Sequence, residues 1–128
     1  MIPKFRAWDE ELKLMLDVFL IDFKKRGIVG EHWGFGETNF ISFDDIELMQ
    51  STGLKDKNGE EIFEKDILDY NGRKVIVKWH GSYACFIYEF VDELKNRTAE
   101  WQPLYLSYYK FEIVGNSLEN PELLEVAE

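Results

Sequence analysis

The clearest structural signal in the chain is the stretch Asp66-Ile67-Leu68-Asp69-Tyr70-Asn71-Gly72-Arg73-Lys74-Val75-Ile76-Val77-Lys78-Trp79-His80. Two β-rich runs flank an Asn-Gly pair, the dipeptide preferred in two-residue hairpin turns because both of its residues adopt a positive φ. After this turn, Val75, Val77 and Trp79 alternate with mostly charged residues, which is the period of a strand. Gly81-Ser82 then turns the chain into another β-rich run, residues 83–91. We therefore predict that residues 66–90 form an antiparallel three-stranded meander.

Residues 12–23 support two different interpretations. Asp9 is suited to cap a helix, and the basic run at residues 24–26 followed by Gly27 is suited to end one. Two apolar patterns overlap in between: a helical one (Leu12, Met15, Leu16, Phe19, Leu20, Phe23) and an alternating one (Leu12, Leu14, Leu16, Val18, Leu20). The pattern alone slightly favours a helix.

The composition indicates a globular protein. A chain of 128 residues is long enough for one domain or two very small ones. Hydrophobic residues make up 45% and aromatic residues 16% of it, so the chain can bury a core. We interpret the aromatic excess as core packing, because large rigid rings bury much area per residue. Cys85 is the single cysteine, which excludes an intramolecular disulfide, and its apolar surroundings predict a buried thiol.

The charge balance restricts the partners. Fifteen basic and 25 acidic residues give a net charge of −10, and residues 111–128 hold five Glu and no Lys or Arg. Such a field repels phosphate backbones, so generic or tight duplex DNA binding is disfavoured. A basic partner is one alternative, but a solubilising role of the charge is favoured. The polar N-terminus and the lack of about 20 consecutive apolar residues predict a cytoplasmic protein without membrane contact.

Three separated segments together resemble the YopX-like family of Gram-positive phages and prophages. The segments are Lys4-Phe5-Arg6-Ala7-Trp8-Asp9, then Leu48-Met49-Gln50-Ser51-Thr52-Gly53-Leu54-Lys55-Asp56-Lys57-Asn58-Gly59-Glu60-Glu61-Ile62-Phe63-Glu64-Lys65-Asp66-Ile67, and Glu112-Ile113-Val114-Gly115-Asn116-Ser117-Leu118-Glu119-Asn120-Pro121-Glu122-Leu123-Leu124. The middle segment is the most specific, and together the three span residues 4–124.

The resemblance implies a mainly β fold, with a small SH3-like barrel in the C-terminal part packed with an N-terminal β subdomain. We accordingly expect a β-strand subdomain over residues 1–50 and the barrel part over residues 51–128. The resemblance also implies that residues 12–23 are extended, and we predict a strand there. The family usually has Gly where Lys65 stands, and the presence of Lys predicts an ordinary φ at that position. The family has no established activity to carry over.

Residue types for catalysis or metal binding are sparse. His32, His80 and Cys85 are the only soft metal ligands, and they show none of the spacings typical of zinc sites. Cys85 and His80 come close enough in sequence to meet on adjacent strands, but an apolar setting does not favour a reactive thiol. Asp66 with Glu64 has the residue types of a catalytic carboxylate pair, although turn chemistry explains Asp66 better. We expect no catalytic residue, no cofactor and no metal.

The remaining candidates are aromatic residues outside the predicted strands. Trp33 lies in a Gly-rich connection, and the others lie in a polar, irregular region. We therefore predict a non-enzymatic protein-interaction module that contacts a host or phage protein through Trp33, Trp101, Tyr105, Tyr108 and Tyr109. Unpaired strand edges and the many apolar side chains also predict a homo-oligomer.

Two rival functions remain open at this point. A nucleic-acid-associated accessory protein would need a local basic patch, and the best one available is Lys24-Lys25-Arg26 with Lys74 and Lys78. A small-molecule enzyme would need a deep pocket with convergent polar groups.

Overall fold

Two antiparallel sheets form the framework of the computed structural model, which describes residues 4–94 and 100–125. The strands are β1 (Phe5–Asp9), β2 (Leu14–Asp22), β3 (Gly27–His32), β4 (Gly36–Glu37), β5 (Ile41–Ser42), β6 (Ile46–Lys55), β7 (Glu61–Phe63), β8 (Asp66–Tyr70), β9 (Arg73–His80), β10 (Cys85–Phe90), β11 (Trp101–Pro103) and β12 (Glu112–Asn116). The helical segments are short 3-10 helices at Phe43–Asp45, Val91–Glu93, Leu104–Leu106, Tyr108–Lys110 and Pro121–Leu124. The mainly β class is therefore as predicted.

The chain divides into two units, Met1–Ser51 (unit 1) and Thr52–Glu128 (unit 2). From the family resemblance we expected a boundary between residues 50 and 51. In unit 1 the strands follow the order β4-β3-β2-β1-β6, and β5 also pairs with β3. Apolar side chains of these strands, including Ala7, Leu16 and Ile28, are fully buried between their neighbours.

Strand β2 confirms the extended interpretation of residues 12–23. It pairs antiparallel with β1, where Trp8 lies opposite Met15, and with β3 on its other side. The pairing with β3 shifts register between Val18 and Leu20, which leaves Phe19 exposed at a bulge. The residues that suggested a helix are therefore divided: Met15 and Leu16 are buried, whereas the others with helical spacing are partly or largely exposed.

Unit 2 contains the predicted meander. Strands β8, β9 and β10 pair consecutively, with Tyr70 opposite Arg73 and His80 opposite Cys85. Asn71 (φ 52°) and Gly72 (φ 87°) both adopt the positive φ that an Asn-Gly hairpin turn requires. The prediction for residues 66–90 is confirmed.

The SH3-like barrel is not confirmed. The strands of the second sheet follow the order β11-β10-β9-β8-β12, and among the described residues this sheet stays open, with β11 and β12 at its edges. A barrel requires its two edge strands to pair, and the described parts of β11 and β12 pair only with β10 and β8. The finding is two open antiparallel sheets.

The core of unit 2 lies on one face of this sheet. It consists of the buried residues Ile62, Leu68, Val75, Val77, Tyr88, Leu104 and Phe111. The expectation of a buried Cys85 thiol is wrong: Cys85 is half-buried, because residues 81–84 before it form an exposed turn. Trp79 is 48% exposed and contacts Phe86 edge to face.

Lys65 corrects another expectation, since its φ is 69° and not in the ordinary range. Its backbone is bonded on both sides: its N–H donates to Val77 O at 2.9 Å, and its carbonyl accepts from the Ser117 N–H at 2.9 Å. The position where relatives carry Gly therefore does require the left-handed conformation, and Lys adopts it.

Two buried aspartates hold the turns on either side of β7. Asp56 Oδ1 accepts the amides of Asn58 and Glu60, and its Oδ2 accepts the Ile113 amide at 3.0 Å. Asp66 Oδ2 accepts the Phe63 amide at 2.8 Å, as turn chemistry predicts. Asp56 thus links the turn after β6 to the closing strand β12.

Candidate functional site

The predicted contact residues do not lie in one unit. Trp33 lies in unit 1, in the turn after β3, and is 50% exposed. Its indole Nε1 donates to Asp17 Oδ1 at 3.1 Å, which orients the ring. The other four residues lie in unit 2, where they occupy two places.

Trp101 belongs to a cluster of tilted aromatic rings, the aromatic cluster, at the edge of the second sheet. Its ring centroid lies 4.7 Å from His80 and 5.1 Å from Tyr83, and those two rings lie 5.0 Å apart. Tyr83 is largely exposed, whereas Trp101 is half-buried in β11. The aromatic cluster therefore presents mainly the Tyr83 ring to solvent.

Tyr105 and Tyr109 form the second aromatic group, on two consecutive 3-10 helices. They are 58% and 56% exposed, and Leu106 beside them is also exposed. We call these three residues the aromatic ridge. The ridge is anchored at both ends, because Leu104 and Phe111 belong to the buried core. The remaining candidate, Tyr108, packs against that core and meets Tyr109 edge to face at 5.6 Å.

A separate site, which the sequence did not reveal, is a cleft in unit 1 with a volume of about 410 Å³. It lies where the β1–β2 turn, the end of β3, the β4–β5 connection and the 3-10 helix Phe43–Asp45 meet. Its lining residues are Asp9, Glu11, Leu12, His32, Glu37, Thr38, Asn39, Phe40, Ile41, Ser42 and Asp45.

Asp9 and His32 form a buried pair in this cleft. His32 Nε2 lies 2.9 Å from Asp9 Oδ2, which accepts the hydrogen bond. The other carboxylate oxygen, Oδ1, accepts the amides of Glu11 and Leu12, both at 3.0 Å. Burial raises the pKa of Asp9, but the bonds from Leu12, His32 and Glu11 together outweigh burial, so its pKa lies below the ordinary value. Asp9 is thus held as a carboxylate with both oxygens occupied.

No local motif predicts this pair. Asp9 and His32 are 23 residues apart, and they meet because β2 and β3 form a hairpin that returns His32 to the end of β1. Once the extended form of residues 12–23 is known, the pairing of Leu16 with His32 and of Ala7 with Leu16 places the two side chains at one end of the sheet. The strand was predicted from the sequence, but its register with β1 and β3 was not, and that register was the missing step.

Of the candidate catalytic and metal-binding residues, His32 alone is among the described residues that line this cleft. His80 and Cys85 are direct cross-strand partners, and the His80 ring contacts Tyr83 and Trp101 in the aromatic cluster. Within residues 4–94 and 100–125, no group of three or more His, Cys, Asp or Glu side chains is arranged to hold a metal ion.

The basic residues considered for nucleic acid are divided between the units. Lys24, Lys25 and Arg26 lie in the exposed β2–β3 turn of unit 1, and Lys78 of unit 2 forms an ion pair with Glu89 at 3.2 Å. This cross-strand neutralisation reduces the charge that Lys78 offers to a polyanion.

Comparisons with known proteins point to one family. A family model described as YopX protein matches residues 4–125. A crystal structure of protein EF1440 from Enterococcus faecalis is 33% identical, with 98% of this chain and 99% of that chain covered and a TM-score of 0.66. No curated protein matches the chain. In the part of the chain that is described, no helix is both long and apolar enough to cross a membrane.

Proposed function

Since the chain belongs to the YopX protein family, we propose that it is a phage or prophage accessory protein that acts through protein–protein contacts and not through catalysis. Its proposed place of action is the cytoplasm of the host bacterium, where a host or phage protein is the partner. The aromatic ridge is the observation that carries this proposal. Tyr105 and Tyr109 supply large contact area at a low cost in conformational entropy, because a tyrosine has only two side-chain torsions to fix.

The anchoring of the ridge supports a binding role. Leu104 is fully buried on one side of the ridge and Phe111 is almost fully buried on the other. The Ser107 hydroxyl lies 3.3 Å from the Tyr88 hydroxyl and ties the link between the two 3-10 helices to β10. A preorganised apolar surface loses less entropy on binding than a mobile loop. Exposed aromatic side chains held in this way are typical of residues that dominate binding energy at interfaces.

We also infer that unit 2 is an open relative of the small SH3-like barrels. Strands β8 to β11 follow one another in the sheet, 3-10 helices come next, and β12 returns to pair with β8. The aromatic ridge lies on the helices just before this returning strand. This relation concerns the fold and adds only analogy to the functional proposal.

Affinity capture tests the proposal. The immobilised protein is exposed to a lysate of a Gram-positive host, and the captured proteins are compared for wild type, Tyr105→Ala/Tyr109→Ala and Phe35→Ala. Phe35 is a matched control because it is an exposed aromatic residue of unit 1. We expect a specific partner to be retained by wild type and the Phe35 variant and lost by the double variant. A partner that the double variant retains as well would contradict a role of the ridge.

A further inference from the structure

The cleft of unit 1 has a negatively charged rim. Glu11, Glu37 and Asp45 are exposed and come from three different segments of the chain. Among the described residues that line the cleft, none is Lys or Arg. Carboxylates gathered from separate segments repel one another, and a cationic group placed among them relieves that repulsion.

The cleft also has an aromatic residue in its lining. Phe40 is 47% exposed, and its position depends on Gly27. A Cβ atom at Gly27 would lie 2.2 Å from Phe40 Cζ and 2.5 Å from Ile41 O, so the ring occupies space that only glycine leaves free. Leu12 adds exposed apolar surface to the same cleft. The cleft thus combines an exposed aromatic residue and an exposed leucine with the acidic rim.

Hydrogen bonds within the protein hold the segments that form the floor of the cleft. The Asp9–His32 pair joins the β1–β2 turn to β3, and the Glu10 amide donates to Asp45 O at 3.2 Å. On the opposite side, Thr38 N–H donates to Gly30 O at 2.8 Å, and Thr38 Oγ1 accepts the Gly30 amide. Both oxygens of Asp9 already accept hydrogen bonds from the protein, so the charged acceptors that face solvent are those of the rim.

From this arrangement we propose that the cleft binds an arginine side chain presented by a protein partner, an inference that rests on the proposed interaction role. A guanidinium group donates from several N–H groups in one plane, which suits carboxylates on different sides, and it stacks on aromatic faces. The aliphatic stem of arginine suits the Leu12 surface. The net charge of −10 steers a basic partner towards the protein.

A titration followed by ¹⁵N–¹H NMR tests this site. The probe is a capped tripeptide with a central arginine, and the same peptide with citrulline keeps the shape without the charge. The site variant is Glu11→Gln/Glu37→Gln/Asp45→Asn. The matched control is Glu119→Gln/Glu122→Gln/Glu125→Gln, which removes the same number of charges from unit 2. The spectrum of each variant also reports whether it is folded.

We expect the arginine peptide to shift the amide signals of Leu12, Phe40 and Ser42 saturably, with the citrulline peptide inactive. The site variant should weaken binding about tenfold, the combined effect of three exposed charge pairs of ordinary strength, while the control variant changes it little. Equal weakening by both variants would show attraction by net charge alone and overturn the site. Equal binding of a lysine peptide would overturn the assignment to arginine. The rim residues are not part of the aromatic ridge, so loss of the cleft and loss of the ridge are distinguished by their separate variants.

Discussion

At the scale of single residues, Lys65 shows a backbone conformation imposed by its neighbours. Its N–H and carbonyl bind Val77 and Ser117, and these two bonds hold it at a φ of 69°. For a residue with a Cβ atom the left-handed region costs about 1–2 kcal/mol, a penalty that glycine does not carry. The two backbone hydrogen bonds, to Val77 and from Ser117, offset this cost, because both depend on the left-handed conformation of Lys65.

Lys65→Gly should therefore stabilise the protein. We expect the free energy of unfolding to rise by about 1 kcal/mol, measured by urea denaturation. Lys57→Gly is the control, since Lys57 is a turn residue outside the set with positive φ. Glycine there adds freedom to the unfolded chain and removes the exposed 3.8 Å ion pair with Glu112, so it should not stabilise the protein. If Lys65→Gly is no more stable than wild type, the strain assigned to this position is absent.

Asp9 predicts a pH dependence of stability. Its pKa is lowered in the folded protein, so its contribution is complete above the unfolded value of about 3.9 and is lost as the pH falls through the folded pKa. We expect the urea midpoint of wild type to decrease between about pH 5 and pH 2, and that of Asp9→Asn to decrease less steeply. Asp44→Asn removes an exposed carboxylate and should keep the wild-type slope. If the urea midpoints of wild type and Asp9→Asn decrease equally steeply as the pH is lowered, the prediction is contradicted.

The same residue explains why the sequence was ambiguous there. Asp9 does accept the amides of residues two and three positions later, which is the chemistry of a helix N-cap. The chain then turns, with Lys13 at a φ of 58°, and enters β2. A local pattern reports the cap correctly, but only the pairing partners on both sides of β2 determine that a strand and not a helix comes after the cap.

At the scale of elements, the β8–β9 hairpin depends on the conformation of its turn. Gly72 has a φ of +87°, and a Cβ atom there would meet nothing within 4 Å. Any cost of a side chain at this position is therefore a backbone cost. The Asn-Gly pair predicts the conformation of the turn, and the alternating apolar residues predict the strands on either side. Both signals are local in the sequence, which is why the meander was predictable.

Gly72→Val should lower the free energy of unfolding by about 2 kcal/mol, because a β-branched residue at positive φ is strongly disfavoured. Gly81→Val is the matched control: a Cβ atom at Gly81 also meets nothing within 4 Å, but Gly81 does not have a positive φ. We expect Gly81→Val to have little effect in the same urea titration. Equal destabilisation by both substitutions would argue against the turn.

The turn after β6 was only partly predictable. Asn58-Gly59 is a dipeptide typical of turns, but the group that holds the turn is Asp56, whose carboxylate also accepts the Ile113 amide. The Asp9–His32 pair was unpredictable for the same reason, since each contact joins segments brought together by strand pairing. A hydrogen bond between one polar side chain and a residue far away in the chain produces no repeating pattern of residues, so the sequence does not predict it.

At the scale of the whole molecule, homo-oligomerisation stays a prediction. Each unit carries exposed large apolar side chains, including Phe23 and Phe35 in unit 1 and the aromatic ridge in unit 2. Association would remove such surface from water. We expect light scattering at high micromolar concentration to give a mass above the 15.2 kDa of one chain. A monomer mass under these conditions would defeat the prediction.

The protein should not bind duplex DNA tightly. A net charge of −10 opposes the approach of a polyanion, and the exposed cations of the β2–β3 turn form only a small patch. Fluorescence anisotropy at about 150 mM salt should detect no sub-micromolar binding. Tight binding with a steep salt dependence that is lost in Lys24→Ala/Lys25→Ala/Arg26→Ala would show that the local patch outweighs the net charge.

The pairing of β12 with β8 has a consequence for how the chain folds as it emerges from the ribosome. Strands β1 to β5 have all of their partners once β6 is complete at Lys55, whereas β8 must wait for β12. The bond between Asp56 and Ile113 joins residues 57 positions apart. During this interval one edge of β8 has no partner, although its Ile67 and Leu68 are destined for full burial. Unpaired apolar edges are the surfaces through which nascent chains aggregate. The late stage of synthesis, when β8 is complete and β12 is not, is therefore when the nascent chain most needs protection by a chaperone.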